Sequence, residues 1–239
     1  MSQLTLQTHV SDIVTAVPQS ADLFRALRID FCCGGKIPLE EAAAKRKLDS
    51  SAVLHQARIL ETKIAEYRDS RPGDLAEPEL IDYIQNKHHA FLREELPALT
   101  PYVTKLALVH GEHHPELLRV QEIFAELKNE LLTHTEDEDQ NVFPQIQQCI
   151  AKPNSNHSEG LQPLLSELEQ EHEQAGNLLK ELREVTSDFA LPSDACGTYR
   201  LVYQRLGLLE KDTFEHIHLE NNVLFERVRE RCNGQGQQR

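Results

Sequence analysis

Residues 117–143 read LLRVQEIFAELKNELLTHTEDEDQNVF, and this stretch decides the fold. Apolar side chains recur in it at alternating spacings of three and four, which is the period of an amphipathic helix. The apolar stripe consists of Leu117, Val120, Phe124, Leu127 and Leu131. The next two positions in the same phase are His134 and Glu138, so the pattern predicts a histidine and a glutamate on the core face of the helix.

Residues 202–225, VYQRLGLLEKDTFEHIHLENNVLF, repeat this pattern. Their apolar stripe leads in the same helical phase to His216 and Glu220. The spacing His-x3-Glu-x4-Phe therefore occurs twice, ending at Phe143 in the first helix and at Phe225 in the second. We interpret the two helices as an internal repeat with pseudo-twofold character.

Two further predicted helices carry histidines on their apolar faces. His172 falls in phase with the leucines on both sides of it. Earlier in the chain His88 continues the apolar phase that precedes it, whereas His89 begins the phase that follows it. The spacing His89-x6-Leu96 matches His172-x6-Leu179, which favours His89, although periodicity alone leaves both histidines open.

The organisation of the chain is predicted to be helical throughout. Helix-forming residues dominate and no segment alternates with a period of two, so the predicted fold class is all-α. Pro72, Gly73 and Pro78 mark a break. We expect a small helical domain in residues 1–70, a linker in 71–78 and an antiparallel four-helix bundle in 79–239. The bundle helices are predicted over residues 79–105, 115–149, 161–186 and 194–231, with Asp194 as the N-cap of the last.

The composition excludes several classes of function. The 239 residues carry 25 Lys and Arg against 39 Asp and Glu, and the net charge of -14 argues against binding to nucleic acid or to anionic membranes. No apolar run approaches the roughly 18 residues of a membrane span, and the first residues lack the pattern of a signal peptide. The five cysteines are odd in number and lack the even, dense pattern of a disulfide framework. We therefore expect a cytoplasmic protein.

The buried histidines and glutamates indicate a metal site. An unpartnered buried imidazolium or carboxylate costs several kcal/mol, and a bound metal ion supplies the missing partner. Carboxylates can bridge two ions about 3.5 to 4 Å apart. Six side chains underfill two octahedral ions, so oxo or hydroxo bridges and open positions would complete the shells. Mixed imidazole and carboxylate donors favour iron, with manganese or zinc as alternatives. The predicted ligands are His89, His134, His172, His216, Glu138 and Glu220.

A second interpretation of the same residues has to be weighed. The His/Glu pairs can be polar contacts between helices, or surface positions if the helical phase is assigned wrongly. Residues 135–139, TEDED, resemble an ordinary solvated acidic face. The duplicated spacing on two helices and the matching phase on three favour the metal interpretation.

Four motifs carry a resemblance to a known family. They are DFCCGGK at 30–36, His134-x3-Glu138 followed by NVFP at 141–144, EHEQAG at 171–176 and HIHLENNVLF at 216–225. With these motifs the chain resembles, over nearly its whole length, the di-iron iron–sulfur cluster repair proteins, whose second domain is a hemerythrin-like four-helix bundle. The resemblance implies the same six ligands, two non-haem iron ions with carboxylate and oxo bridges, and repair of iron–sulfur proteins damaged by nitrosative or oxidative stress.

The resemblance also implies nitric oxide chemistry, so a di-iron nitric oxide-reducing activity is one candidate. The alternative is a cytoplasmic protein that binds or scavenges nitric oxide or oxygen without repair activity. Four histidines, where oxygen-carrying hemerythrins use five, make reversible oxygen carriage less suitable. A helical adaptor with a structural metal is weakest, because structural zinc prefers closed sites with cysteine. The sequence leaves open the electron donor, the client proteins and the choice between monomer and homodimer.

Cys32 and Cys33 have two interpretations. They are small residues in a tight turn, or they are redox thiols that accept nitric oxide, form a disulfide or hold iron. In the second interpretation they are exposed beside Lys36, which favours the thiolate. The paired glycines that follow are expected to adopt left-handed conformations.

The other cysteines and histidines are not among the predicted ligands. Cys149, Cys196 and Cys232 lie apart from other reactive residues in the sequence. His110, His113 and His114 could form an iron entry or holding site, but a solvated turn before the second bundle helix is the preferred interpretation, and they are not counted as ligands. Surface or capping roles are expected for His9, His55, His157 and His218.

Overall fold

The structure is a computed structural model that describes the backbone of residues 4–66, 71–151 and 157–233. Within these ranges the regular structure is helical, apart from one isolated bridge between His9 and Pro38. The predicted all-α class is confirmed. The chain forms two compact units, residues 1–83 with 214–239 and residues 84–213. The predicted division at 71–78 stays a prediction.

The first unit contains short helices around a small apolar core. The helices are α1 (Val10–Ala16), α2 (Ser20–Ala26), α3 (Leu39–Lys45), α4 (Ser50–Glu66), most of α5 (Glu77–Ile84) and α11 (Phe225–Asn233). A single 3₁₀ turn, Pro72–Asp74, lies in the predicted linker. The core includes Ile13, Phe24, Phe31, Leu39 and Ile217, all buried.

The second unit is a four-helix bundle. Its helices are α6 (Ala90–His110), α7 (Glu116–Asp137) with its extension α8 (Phe143–Ala151), α9 (His157–Val185) and α10 (Gly197–Leu219), whose last residues belong to the first unit. A short turn joins α6 to α7. Ion pairs join the remaining neighbours: Arg119–Glu181 between α7 and α9, Arg183–Glu210 between α9 and α10, and Arg205–Glu95 between α10 and α6.

Two predicted helix positions are corrected. The helix predicted to start at residue 194 begins at Gly197, and Asp194 is not its cap. Cys196 takes the capping place instead, with its Sγ atom 3.4 Å from the backbone N–H of Tyr199. Helix α6 runs through both Pro97 and Pro101 to His110, five residues beyond the predicted end.

The described helices include none that is both long and apolar enough to cross a membrane.

Candidate metal centre

Three π-helical turns interrupt the long predicted helices in the part of the chain that the structure describes. They span Gln85–His89, Glu138–Val142 and Glu220–Leu224. A π-helical turn closes i to i+5 hydrogen bonds and so contains one residue more than an α-helical turn, and such turns are frequent at functional sites. Each of these turns contains at least one predicted ligand, and none of the three turns was predicted from the sequence.

The π-helical turns explain two features of the sequence. Residues five apart share a face across such a turn, and this places Glu138 in line with the buried Phe143. The repeated x4 spacing before each phenylalanine was therefore the available signal. In the turn Gln85–His89, the extra residue likewise lets Ile84 and His89 lie on one buried face. This explains why the apolar phase changes at His88 and His89.

Three imidazoles converge on Glu138 in the second unit. The Nε2 atom of His134 lies 3.2 Å from Glu138 Oε2 and 2.9 Å from His172 Nε2. The Nε2 atom of His89 lies 3.4 Å from the same carboxylate oxygen. All four side chains are buried, with Glu138 completely inaccessible to solvent.

A second carboxylate orients His89 from behind. The Nδ1 atom of His89 lies 2.8 Å from Asp139 Oδ1, an oxygen that also accepts a hydrogen bond from Gln85, while Arg93 donates to Oδ2. Burial alone would raise the pKa of the Asp139 carboxyl, but these three hydrogen bonds outweigh it and hold that pKa at about 2. The charged carboxylate accepts a hydrogen bond from Nδ1–H, and Nε2 therefore faces Glu138.

His134 is oriented in the same way. Its Nδ1 atom lies 2.5 Å from Glu171 Oε2, and this hydrogen bond lowers the pKa of Glu171 despite partial burial. A cavity of about 710 Å³ reaches His134 and Glu171 and is lined further by acidic side chains, among them Glu130, Asp137 and Glu167. Burial, followed by the charges of Glu126 and Glu171, raises the pKa of Glu130.

The other predicted pair lies in the first unit. His216 Nε2 is 2.8 Å from Glu220 Oε1, and both side chains are buried. His88, the open alternative to His89, is also buried, but its Nδ1 atom contacts Asp212 Oδ1 at 3.0 Å. The structure thus groups His89, His134 and His172 with Glu138, and pairs His216 with Glu220.

The imidazole and carboxylate groups that converge on Glu138 are suitable ligands for a metal ion. Ligand atoms of His134, Glu138 and His172 all lie within 4.8 Å of one another, and all three side chains are buried. Imidazoles that bind a metal through Nε2 commonly donate Nδ1–H to a carboxylate, as His89 and His134 do here. The protein therefore has a buried His/Glu group that can hold a metal ion.

The two adjacent thiols lie on a turn organised by Asp30. Its Oδ1 atom accepts the backbone N–H groups of Cys32, Cys33 and Gly34 at 3.0 to 3.2 Å. The Sγ atoms of the two cysteines are 3.6 Å apart.

The predicted environment of the thiols is wrong in two respects. Cys32 is buried and Cys33 is half-buried, and Lys36 forms an ion pair with Glu226 at 2.6 Å. No described glycine has a positive φ. Gly35 is needed for space instead, because a Cβ atom there would lie 2.4 Å from the carbonyl oxygen of Phe31.

His218 is not a surface residue, contrary to the prediction. It is buried, donates to the carbonyl oxygen of Phe31 at 3.3 Å and lies 3.2 Å from the Thr15 hydroxyl. Burial lowers its pKa to about 4, so the imidazole is neutral. Asn222, one turn further on, donates to the carbonyl oxygen of Cys32 at 2.8 Å. The segment that carries His216 and Glu220 therefore also holds the thiol turn.

Cys196 is likewise not isolated, because its Sγ atom lies 3.3 Å from His110 Nε2. This contact joins the end of α6 to the start of α10, residues 86 apart in sequence, and no local pattern signals it. The side chains of Cys232 and His157 lie outside the described residues.

Residues 80–228 match the family described as the hemerythrin HHE cation binding domain, and residues 6–59 match ScdA_N, a domain of unknown function. The helical bundle, the buried His/Glu group and the match to the hemerythrin HHE domain together define a hemerythrin-type metal-binding bundle. The chain is 41% identical to the iron-sulfur cluster repair protein ScdA of Staphylococcus haemolyticus, over 93% of this chain and 98% of that protein. It is 35% identical to the iron-sulfur cluster repair protein YtfE of Escherichia coli O1:K1 / APEC, over 92% and 95% respectively. The chain belongs to this family of iron–sulfur cluster repair proteins.

Proposed function

We propose that this protein repairs damaged iron–sulfur clusters in the cytoplasm, using two iron ions. The proposed iron ligands are the side chains of His89, His134, Glu138, His172, His216 and Glu220. One observation carries the proposal. The Nε2 atoms of His89 and His134 converge on the buried carboxylate of Glu138, and the Nδ1 atom of each imidazole contacts a second carboxylate. The relatives' names supply the substrate class.

Glu138 has the environment of a bridging ligand. Its carboxylate is completely buried, and one oxygen lies near both His89 and His134. In the proposal Glu220 takes the matching role beside His216, as the duplicated spacing predicts. Bound iron supplies redox chemistry and open coordination positions for a small ligand such as nitric oxide or oxygen.

The outer residues keep the imidazoles ready to bind. Asp139 and Glu171 hold the Nδ1 protons of His89 and His134, so each Nε2 lone pair stays directed inward. The acidic cavity beside His134 gives a cation or a small neutral molecule a route to the buried group. Its walls carry negative charge, which favours entry of a cation over that of an anion.

The thiol turn is proposed to act in the exchange with a damaged cluster. Asp30 fixes the turn, and Asn222 and His218 hold its carbonyl groups, so the two sulfur atoms stay adjacent. Cys33 is the more accessible sulfur. Damaged iron–sulfur proteins are the proposed partners, and the electron donor stays open.

The test combines metal content with a repair assay. We expect about two iron atoms per purified chain, and recovery of activity when the protein is added to a nitric oxide-damaged iron–sulfur enzyme. Glu138→Gln should abolish both. Glu136→Gln, a matched control on the exposed face of the same helix, should leave both unchanged. One tightly bound zinc ion with no iron uptake would contradict the proposal.

The thiols are tested separately. Changing Cys32 and Cys33 together to Ser should keep the iron but lower repair, because neither thiol is in the proposed ligand set. Nitric oxide should change the optical spectrum of the reduced protein both in the wild type and in the double Cys→Ser variant. Binding of nitric oxide with no repair by the wild type would support the alternative function as a binding or scavenging protein.

A further inference from the structure

One hydroxyl group in the core of the bundle makes no hydrogen bond within the part of the chain that the structure describes. It belongs to Thr213 of α10, whose Oγ1 atom is buried without a partner. Thr213 continues the apolar stripe of Val202, Leu206 and Leu209, and all four side chains are completely inaccessible to solvent. Burial of a hydroxyl without a partner costs stability, so its presence in a folded core requires an explanation.

Other helical threonines of the bundle do not have this cost. The hydroxyls of Thr100, Thr104 and Thr135 each donate to the carbonyl oxygen four residues earlier, at 2.7 to 3.0 Å. This local hydrogen bond is common for threonine in a helix. Threonine also has a second helical rotamer that directs the hydroxyl elsewhere. The hydroxyl of Thr213 makes no such local bond, so it is available to a group outside its own helix.

Two contacts fix the level of Thr213 in the bundle. Arg205 donates to Glu95, and Asp212 Oδ1 lies 3.0 Å from His88 Nδ1. Asp212 follows Arg205 by seven residues, and His88 precedes Glu95 by seven, so the two segments run antiparallel. Thr213 directly follows Asp212 and therefore lies at the level of His88.

The same level of the bundle contains two of the proposed ligands. His89 directly follows His88, and its Nε2 atom lies 3.4 Å from the buried carboxylate of Glu138. Its Nδ1 atom contacts Asp139, the residue next to Glu138. Because Thr213 occupies the core stripe of α10, its side chain lies in the same core layer as these two ligands.

The internal repeat has a different residue at the matching position. Thr213 precedes His216 by three residues, whereas the residue three before His134 is Leu131. Leu131 is buried and continues its apolar stripe without a polar atom. An apolar side chain therefore meets the packing requirement in one half of the repeat, and packing alone does not explain the hydroxyl in the other half.

We propose that the Thr213 hydroxyl donates a hydrogen bond to a small neutral ligand, such as nitric oxide, when that ligand is held at the buried group. This inference rests on the proposed function, because iron at the buried group holds the ligand. A diatomic ligand with a polar end accepts the hydrogen bond and gives the hydroxyl its partner. A neutral ligand is also not repelled by the acidic walls of the cavity beside His134.

The test compares Thr213→Val with the wild type, as iron-loaded and reduced full-length protein, with nitric oxide as the probe. Valine has nearly the shape of threonine but no hydroxyl. The N–O stretching band of bound nitric oxide should move to higher wavenumber in this variant, because a hydrogen bond weakens the N–O bond. Nitric oxide should also dissociate about fivefold faster, as expected for the loss of one hydrogen bond.

Two further variants serve as controls. Thr213→Ser keeps a hydroxyl and should resemble the wild type in both measurements. Thr135→Val removes a buried hydroxyl next to His134 that donates to a backbone carbonyl, and it should change neither the band nor the dissociation rate. A change in Thr135→Val as large as that in Thr213→Val would overturn the proposal.

Two measurements keep the test decisive if Thr213→Val folds poorly. The N–O band of the wild type should shift when the protein is exchanged into D₂O, and an unshifted band would overturn the proposal. In metal-free protein, Thr213→Val should unfold at the same temperature as the wild type or higher, because it removes a buried hydroxyl without a partner. A clearly lower unfolding temperature would show a structural role for the hydroxyl and would also overturn the proposal.

Iron content and repair, measured on the same preparations, separate this inference from the proposed function. Wild-type protein that takes up no iron would contradict the proposed function itself. Iron retained in both forms, with the same N–O band and the same dissociation rate in the wild type and Thr213→Val, would overturn only the role of Thr213.

Discussion

Replacing His134 and Glu138 together by Leu should leave the metal-free protein at least as stable as the metal-free wild type. Both side chains are buried, and they continue the apolar stripe that ends at Leu131. Without a metal this polar pair lowers the stability of the core. Exchange of a buried ionic pair for apolar residues is commonly neutral or stabilising by about 1 to 4 kcal/mol.

Two effects reduce the expected gain. Leu is not isosteric with either residue, and overpacking can cost about 1 to 3 kcal/mol. Glu171 loses its partner His134, but its side chain is 45% exposed and returns to water, at a cost of at most about 1 kcal/mol. We therefore expect a change in the free energy of unfolding between zero and a gain of about 2 kcal/mol.

The single variant His134→Leu should behave differently from the double variant in the same unfolding measurement. It leaves the Glu138 carboxylate buried after removal of a close partner, and removal of one member of a buried pair costs about 3 to 5 kcal/mol. The double variant should therefore be clearly more stable than this single variant.

The assay is urea unfolding after chelation, combined with iron analysis. At an iron concentration one hundred times the dissociation constant, the wild type should gain about 2.7 kcal/mol and the double variant nothing. If the metal-free double variant lost about 3 kcal/mol or more, or still bound two iron ions, His134 and Glu138 would be structural contacts and the assignment would be refuted.

Three further results are expected. Gly35→Ala should destabilise the protein by about 1 to 3 kcal/mol in thermal unfolding because its new Cβ meets backbone, whereas Gly34→Ala should cost much less; equal effects would contradict the spatial role of Gly35. Arg183→Met should cost about 3 kcal/mol by removing the guanidinium that faces the buried Glu210 carboxylate, and adding Glu210→Leu should recover most of this cost; a double variant no more stable than the single variant would contradict this explanation. Asp139 has a depressed pKa in the fold, so its contribution of about 2 kcal/mol is present above about pH 4 and is lost as the pH falls towards 2. The stability difference between metal-free wild type and Asp139→Asn should narrow over that range, and a constant difference would exclude this coupling.

The sequence predicts the helical class and the burial of the candidate ligands because both follow from local periodicity. His134 and His216 are buried where their apolar stripes place them. The carboxylates that contact the Nδ1 atoms of these histidines are harder to predict from periodicity. Asp139 looks like one member of an acidic surface run, and only the approach of His89 from another helix gives it a role.

Contacts between distant segments account for the remaining errors. Cys196 and His110 belong to different loops, and neither has a sequence motif that indicates the other. His218 follows His216 by two residues, which predicts the opposite face of the helix, and that face is buried because the turn at Phe31 packs on it. Periodicity therefore predicts that His216 and His218 lie on different faces of the helix, but it does not predict which segment packs on the face of His218.

The π-helical turn at Glu138–Val142 makes the downstream core depend on the number of residues as well as on their identity. Deleting one residue from 139–142 would restore an α-helical turn and rotate α8 by about 100° relative to α7. Phe143 and Ile146, both fully buried, would then leave the core even though every one of their own atoms is unchanged. A deletion of one residue in this turn is therefore a more severe change than most substitutions within it.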